Sequence, residues 1–431
     1  MKTHIRSLKA RQILDSRGRP TVEVDVYLND GTRGRASVPS GASTGSSEAF
    51  ELRDGDPAHY AGLGVKRAVA FANSEIAASL EGMDVTDQAA LDRHLVGLDG
   101  TTQLRRLGAN AILATSLAAC RAAAKVQGKP LYRYIAELSN TAEPIMPMPM
   151  VNILSGGLHA GRGMDVQDFL AIPAGAHSIE EAIEMVGRVR AAATSVCACR
   201  GLPVLLADEG GLSPGCPNGT AALRLMLEAF EEAGLQAGRD VVIAIDVAAT
   251  ALYDREKGTY VLAREGREAS SGEMIEMVES WINEFPIVSI EDPLDEEDWA
   301  GWAALTGRVG DRVRLIGDDF FTTNQIRVAR GIDEGCANGV LVKVNQNGTL
   351  SGALAVIDAA RKAGYAPVVS ARSGETEDSF IADLAVGSAA MQIKIGSVRC
   401  SDRLAKYNQL LRIEEESRAP FAGMVGITRP A

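Results

Sequence analysis

The chain has 431 residues, 46% hydrophobic and 23% charged, a balance that suits a globular protein and excludes wholesale disorder. Its net charge of −12 runs against the basic face that a nucleic-acid binder needs, and no apolar run reaches the roughly 18 residues that span a bilayer. Length allows about two or three domains, or one small domain beside a barrel-sized one.

Taken from the start, MKTHIRSLKARQILDSRG has no apolar stretch behind its basic residues, so no secretory leader is expected. The six cysteines are sparse and form no Cys-x-x-Cys pair, which predicts reduced thiols and a cytoplasmic location. TVEVDVYL at 21–28 alternates apolar and polar residues as a half-buried strand does. A Gly- and Ser-rich loop follows at 39–45. The nearly continuous apolar residues of 108–126 predict a buried helix. The proline-punctuated stretch 143–149 reads as a junction, predicting an α+β domain over 1–138 and a second domain over 139–431.

Beyond the junction a rhythm of short apolar runs and helical stretches sets in. The runs are VLLADEGG, VIAIDVA, VSIEDPL, LIGDDFF, VLVKVNQ, PVVSARSGE and QIKIGS, and each carries a charged residue where its apolar part ends: Glu209, Asp246, Glu291, Asp318, Lys343, Arg372 and Lys394. Repeated strand–helix units of this kind predict an α/β fold, an open doubly wound sheet or a closed barrel, and their number favours the barrel. A barrel gathers such strand ends at one mouth. Asp246, Glu291 and Asp318 would then converge, and three close carboxylates need a counter-charge, which a hard cation such as magnesium supplies. Singly, each reads as well as a helix cap or a solvated loop acid.

Lys343 and Lys394 would face those acids, as a general base or as salt-bridge partners. Glu209, followed by two glycines, reads as a proton donor or a turn acid. Arg372 and Ser373 would hold a phosphate or carboxylate. His159 follows a glycine pair, the setting that lifts it above an ordinary structural histidine. Neither a Gly-x-Gly-x-x-Gly fingerprint nor a P-loop occurs. The set as a whole fits removal of a proton next to a carboxylate, with a metal stabilising the product anion.

The stretches ARQILDSRGRPTVEVDV, VPSGASTG, LRDGD, LGANAIL, DEGG, FPIVSIEDPLDEEDW, GDDFFTTN, KVNQNGTL, RSGETED, FIADLAVG and RLAKYNQLLRIEEE together resemble the enolase (phosphopyruvate hydratase) family over almost the whole chain. The resemblance implies a small N-terminal α+β domain, a C-terminal enolase-type (β/α)8 barrel with its active site at the C-terminal mouth, and a homodimer. It implies about two Mg2+ per site, the first held by Asp246, Glu291 and Asp318, the second with help from Ser43 in the 39–45 loop. Lys343 would take the C2 proton and Glu209 assist departure of the C3 hydroxyl. Lys394 would neutralise the substrate carboxylate. Arg372 and Ser373 would bind phosphate, His159 would line the same pocket, and Gln167 and its neighbour Asp168 would support the substrate. The substrate class is small and anionic: 2-phosphoglycerate, phosphoenolpyruvate or a phosphonate analogue.

Three departures stand out. The family pattern Ser-His-Arg-Ser-Gly-Glu is here Ser370-Ala371-Arg372-Ser373-Gly374-Glu375; Gln-Glu-Phe is Gln167-Asp168-Phe169; and Asn-Gly-Gly-Ser-His is Ser155-Gly156-Gly157-Leu158-His159. They cluster around the pocket and spare the metal ligands and both lysines, costly charges that random decay would not preserve. Three readings follow. The first is a specialised paralogue with lyase-type chemistry or its redirection to group transfer, the candidate being the branch that makes carboxyphosphonoenolpyruvate in phosphonate-antibiotic pathways. The second is an ordinary glycolytic enolase. The third, ranked well below, is a non-catalytic binding or structural protein.

Overall fold

A computed structural model describes residues 2–42 and 44–427; Ser43, a predicted magnesium ligand, lies outside the described residues. The chain begins with an antiparallel meander, β1 (Ile5–Leu14), β2 (Pro20–Leu28) and β3 (Arg33–Ser37). The strand read at 21–28 is β2, but it is buried more completely than its alternation predicts. The cause is the partner on each face. The helix Ala109–Val126 crosses β2 and β3 on one side. On the other, Asp25 of β2 is covered by Arg11 and Arg35. The alanine-rich helix approaches so closely that a Cβ at Gly34 of β3 would fall 2.0 Å from the Ala118 carbonyl oxygen, so only glycine fits.

The rest of the chain is an α/β barrel. Its strands are β4 (Met148–Ser155), β5 (Asp168–Ile172) and β6 (Val242–Asp246), then, after a small sheet of β7 (Tyr253–Asp254), β8 (Thr259–Leu262) and β9 (Arg267–Ala269), β10 (Ile287–Glu291), β11 (Arg314–Gly317), β12 (Gly339–Val342), β13 (Ala366–Ser370) and β14 (Gln392–Lys394). They close in the order β4-β5-β6-β10-β11-β12-β13-β14 and back to β4. Helices on the outside start at capping side chains, Ser178, Asn218, Ser270, Asp298, Asn324 and Thr349, each accepting a backbone N–H of the first turn. The barrel interior is packed with side chains, Met148, Met150, Leu170, Ile172, Val242, Ile316, Leu341 and Val368 among them, so it is a filled core rather than a channel.

Two features correct the sequence reading. The run VLLADEGG is not a barrel strand: Val204, Leu205 and Leu206 are 45%, 70% and 44% exposed in a loop. Two strands the rhythm missed, β4 and β5, complete the eight instead, because β5 pairs directly with β6 and leaves no slot between them. β5 is also antiparallel to both neighbours. It therefore presents its first residue, Asp168, at the mouth where the parallel strands present their last.

Candidate active site

Five strands deliver charge to one side of the mouth. Asp246 ends β6, Glu291 ends β10, Asp318 follows β11, Lys343 follows β12, and Lys394 ends β14. Lys394 Nζ stands between two acids, 2.8 Å from Asp246 Oδ2 and 2.8 and 2.7 Å from the Glu291 oxygens. Lys343 Nζ is paired with Asp318 Oδ2. Burial and the neighbouring Asp246 push the Glu291 carboxyl well above the usual range, against the pull of Lys394. Burial would also raise Asp318, but Lys343 and Arg372 outweigh it and hold Asp318 low. For both lysines burial opposes the charge, and the acids prevail: Asp318 keeps Lys343 high, and Asp246 with Glu291 keeps Lys394 higher still.

The donor set is all oxygen and buried, with Lys394, Lys343 and the Arg372 guanidinium as its counter-charges, so it fits a hard divalent cation. In the present arrangement the ligand oxygens of Asp246, Glu291 and Asp318 do not form one group within 4.8 Å, as those of Asp292, Asp318 and Asp319 do. The lysines stand among them instead. Gln167, expected to support the site, donates from Nε2 to Asp246 Oδ2 at 3.1 Å.

The opposite side is built by β4, β5 and two loops. His159 sits in the short turn Leu158–Ala160, with Nδ1 3.6 Å from Asp168 Oδ2 and 3.6 Å from Glu209 Oε1, too long for hydrogen bonds. Ser155 donates to Asp168 Oδ1 at 2.5 Å, and Asn152 Nδ2 to Glu209 Oε2 at 3.1 Å. His159 Nδ1 and Asp168 Oδ2 are buried without a hydrogen-bond partner among the described residues. Glu209 reaches the mouth from the loop because Gly396, at φ +116°, lets the chain after β14 touch it: a Cβ there would lie 2.9 Å from the Glu209 carbonyl oxygen. Burial lowers the His159 pKa, but Glu209 and Asp168 outweigh it and raise it overall. Burial raises Asp168, whereas for Glu209 the cations, His159 first, outweigh burial and hold it low.

Arg372 and Ser373 follow β13. Ala371 beside them is buried and donates its N–H to the Lys394 carbonyl at 2.8 Å. Arg372 is engaged by residues that the sequence reading did not single out: Nη1 donates to Glu48 Oε2 and to Asn345 Oδ1, each at 2.9 Å, and Nη2 to Glu48 Oε1 at 3.2 Å. Ser373 Oγ accepts from the Ala42 N–H at 2.7 Å and from Arg17 at 3.3 Å. Gln346 was missed as well. It donates to Asp318 Oδ1 at 2.9 Å and Glu48 Oε1 at 3.2 Å, and accepts from Thr323. The KVNQ run carries Gln346 three residues after Lys343; that spacing was the one sequence signal for it.

One pocket brings together His159, Gln167, Glu209, Asp246, Lys343, Arg372, Ser373 and Lys394, with Ala371 and Ala42 in its wall. Asp168, Glu291 and Asp318 stand just behind these residues through the contacts given above. The open space is about 10 Å3, room for roughly one water.

Comparison with protein families accounts for nearly the whole chain. Residues 5–135 match the family model described as "Enolase, N-terminal domain", and residues 143–428 match "Enolase, C-terminal TIM barrel domain".

Proposed function

The chain belongs to the enolase family, and from that membership we propose that it is a magnesium-dependent enzyme forming an enolpyruvyl product, specialised away from 2-phosphoglycerate. Asp246, Glu291 and Asp318 would hold the first magnesium, with Ser43 contributing to a second. Bound there, the metal supplies the counter-charge that the enediolate needs. Lys343 accepts the C2 proton. Its positive charge is maintained by Asp318, so once that carboxylate is engaged elsewhere, burial acts with less opposition and favours the neutral amine. Lys394 faces the substrate carboxylate, and Arg372 with Ser373 faces the phosphate or phosphonate end. The leaving group needs a proton, and we propose that the His159–Asp168–Glu209 group supplies it: burial raises the Asp168 carboxyl, and Glu209 with Asp168 raises His159. That proton belongs to the group rather than to one residue.

Ala371 carries the specialised reading. It lies in the pocket wall next to Arg372, where the family pattern has an imidazole, so a methyl group replaces a hydrogen-bonding ring at the anionic end. Asp168, held back by Ser155, shortens the opposite wall. A carboxyphosphono group in place of phosphate suits the altered end, and carboxyphosphonoenolpyruvate synthesis is the reaction we propose. The ordinary hydratase reading draws on a different observation: Lys343, Glu209, Lys394, Arg372 and Ser373 all line one small pocket. The domain limits 1–138 and 139–431 are proposed with the same reading, and the unmatched stretch 136–142 between the two family models supports them. A homodimer and a cytoplasmic location are likewise proposed from family membership. Among the described residues no helix is long and apolar enough to cross a membrane.

The deciding experiment is a magnesium-dependent assay with 2-phosphoglycerate, following the ultraviolet absorbance of the enol product. We expect a rate raised about 100-fold or more by Ala371→His, the scale of a positioned acid–base or hydrogen-bonding group. A full rate in the unaltered protein, indifferent to Ala371→His and abolished by Lys343→Ala, would make this an ordinary hydratase.

A further inference from the structure

One strand, β4, supplies a hydrogen-bond donor to each of the two acids that flank His159. Asn152 Nδ2 donates to Glu209 Oε2 at 3.1 Å, and Ser155 Oγ to Asp168 Oδ1 at 2.5 Å. The acids then meet the imidazole in the same way: the remaining oxygen of each, Glu209 Oε1 and Asp168 Oδ2, stands 3.6 Å from His159 Nδ1. Asn152 and Ser155 are three residues apart, and in a regular strand such side chains point to opposite faces. β4 is not regular there. Its register against β5 shifts: Asn152 pairs with Leu170, but Leu154 pairs with Phe169 and Ser155 with Asp168. Uninterrupted pairing would set Leu154 opposite Asp168; the extra residue sets a hydroxyl there instead. Both donors are fully buried, and Ser155 is held from behind. Its N–H donates to the Leu212 carbonyl at 2.7 Å, and a Cβ on Gly211 would fall 2.3 Å from its Oγ. Gly211 therefore lets the loop that carries Glu209 lie against the hydroxyl that holds Asp168.

From this geometry we infer that Asn152 and Ser155 are positioning residues, a two-donor clamp on β4 that ties one oxygen of each acid and turns the other toward His159. The inference rests on the reading of His159–Asp168–Glu209 as the group that protonates the leaving group. In that step the C3–O bond breaks, its electron pair goes with the oxygen, and a proton from the group completes the departing water. A carboxylate free to rotate presents either oxygen; with one tied, the other has a fixed direction. A buried carboxylate that loses its donor turns to another partner, because leaving it unpaired is costly. Lys394 acts on both acids. Released from the clamp, either acid would turn toward that ammonium and away from the ring. Asp246 stands opposite Asp168 on β6 and already engages Lys394, so the clamp also keeps Asp168 out of the metal-side pairs. Two of the departures named above, at 155 and 168, are thus one contact.

The test uses the full-length, magnesium-loaded protein with 2-phosphoglycerate, unaltered and, for signal, carrying Ala371→His. Two rates are read: exchange of the C2 proton with solvent, and formation of the enol product. Ser155→Ala and Asn152→Leu should each slow product formation roughly 10- to 100-fold, the scale of a displaced proton-transfer group, and change C2 exchange by less than about twofold. An analogue with chloride in place of the C3 hydroxyl needs no proton to depart, so both variants should process it within about twofold of the original rate. Adding Asp168→Glu to Ser155→Ala should recover most of the loss, because a longer arm reaches the ring without the hydroxyl. A merely structural role would slow C2 exchange, chloride departure and product formation together, and that result overturns the proposal. So does undiminished product formation in Ser155→Ala. If Asn152→Leu does not fold, Ser155→Ala with and without Asp168→Glu decides alone. His159→Asn separates the premise: unchanged product formation there, or no product in either background, refutes the proton-donor reading itself, whatever Ser155 does.

Discussion

On the side of the mouth built by β6, β10, β11, β12 and β14, each sequence-named carboxylate already meets an ammonium: Lys394 lies against Asp246 and Glu291, and Lys343 against Asp318. On the side built by β4, β5 and the loop carrying Glu209, one imidazole faces two carboxylates at 3.6 Å, and none of these contacts closes into a hydrogen bond. The contrast separates two ways of keeping buried acids together. Fixed positive charges neutralise the first group. In the second, one imidazole stands between the acids, which raise its pKa while burial raises Asp168, a setting that fits proton transfer. Metal-assisted proton abstraction and assisted departure of a leaving group need these two environments side by side.

The largest expected effect tests the first side. Lys343→Ala should slow exchange of the C2 proton of 2-phosphoglycerate by roughly 10²- to 10⁴-fold. The magnesium-induced rise in melting temperature should persist. Exchange at the original rate would remove Lys343 from the chemistry.

A smaller effect separates counter-charge from packing. Lys394→Met leaves Asp246 and Glu291 buried together without their ammonium. Without magnesium the variant should lose about 3–5 kcal/mol of stability near neutral pH, the usual penalty for breaking a buried pair. Magnesium should recover most of the loss, because the ion then supplies the missing charge. Thermal melts with and without the metal give the answer, and equal stability in both would mean the acids need no cation.

The third and smallest effect tests the second side. The folded state raises the His159 pKa, since Glu209 and Asp168 overcome the opposing influence of burial. The protonated ring is therefore stabilising: its contribution is complete below the ordinary histidine value of about 6.5 and disappears as pH climbs through the raised folded value. His159→Asn should cost on the order of 1 kcal/mol at pH 5–6 and progressively less toward pH 9. A deficit that grows with pH would invert the assignment. Melting curves across that range decide it.

Much of the first side was legible in the sequence. VIAID, VSIE, VLVK and QIK are short apolar runs that end on a charged side chain, and in a parallel barrel that end faces the mouth. The same rule misplaced Glu209. Its VLL prefix looks like a strand by composition, yet the residues are exposed, and the sheet has no unpaired edge to receive them. Asp168 and Gln167 lie at the start of a strand rather than its end, so periodicity gave no reason to place them at the mouth; only the family resemblance did. Glu48 escaped both routes, and Gln346 was passed over although it lies in the KVNQ run. Glu48 is 324 positions from the arginine it holds, and neither residue sits where an apolar run stops.

By itself, the sequence determined which residue types this protein invests in buried charge and the alternation of strands and helices that delivers most of them to one end of a barrel. Those properties are local, written in runs of five to ten residues where apolar periodicity and a terminal polar group appear together. Tertiary structure alone decided the antiparallel course of β5, the arrival of Glu209 from a loop, and the pairing of Glu48 with Arg372. Each depends on which distant segment takes the neighbouring position, and a buried charge accepts whichever partner the closed fold brings within hydrogen-bonding distance.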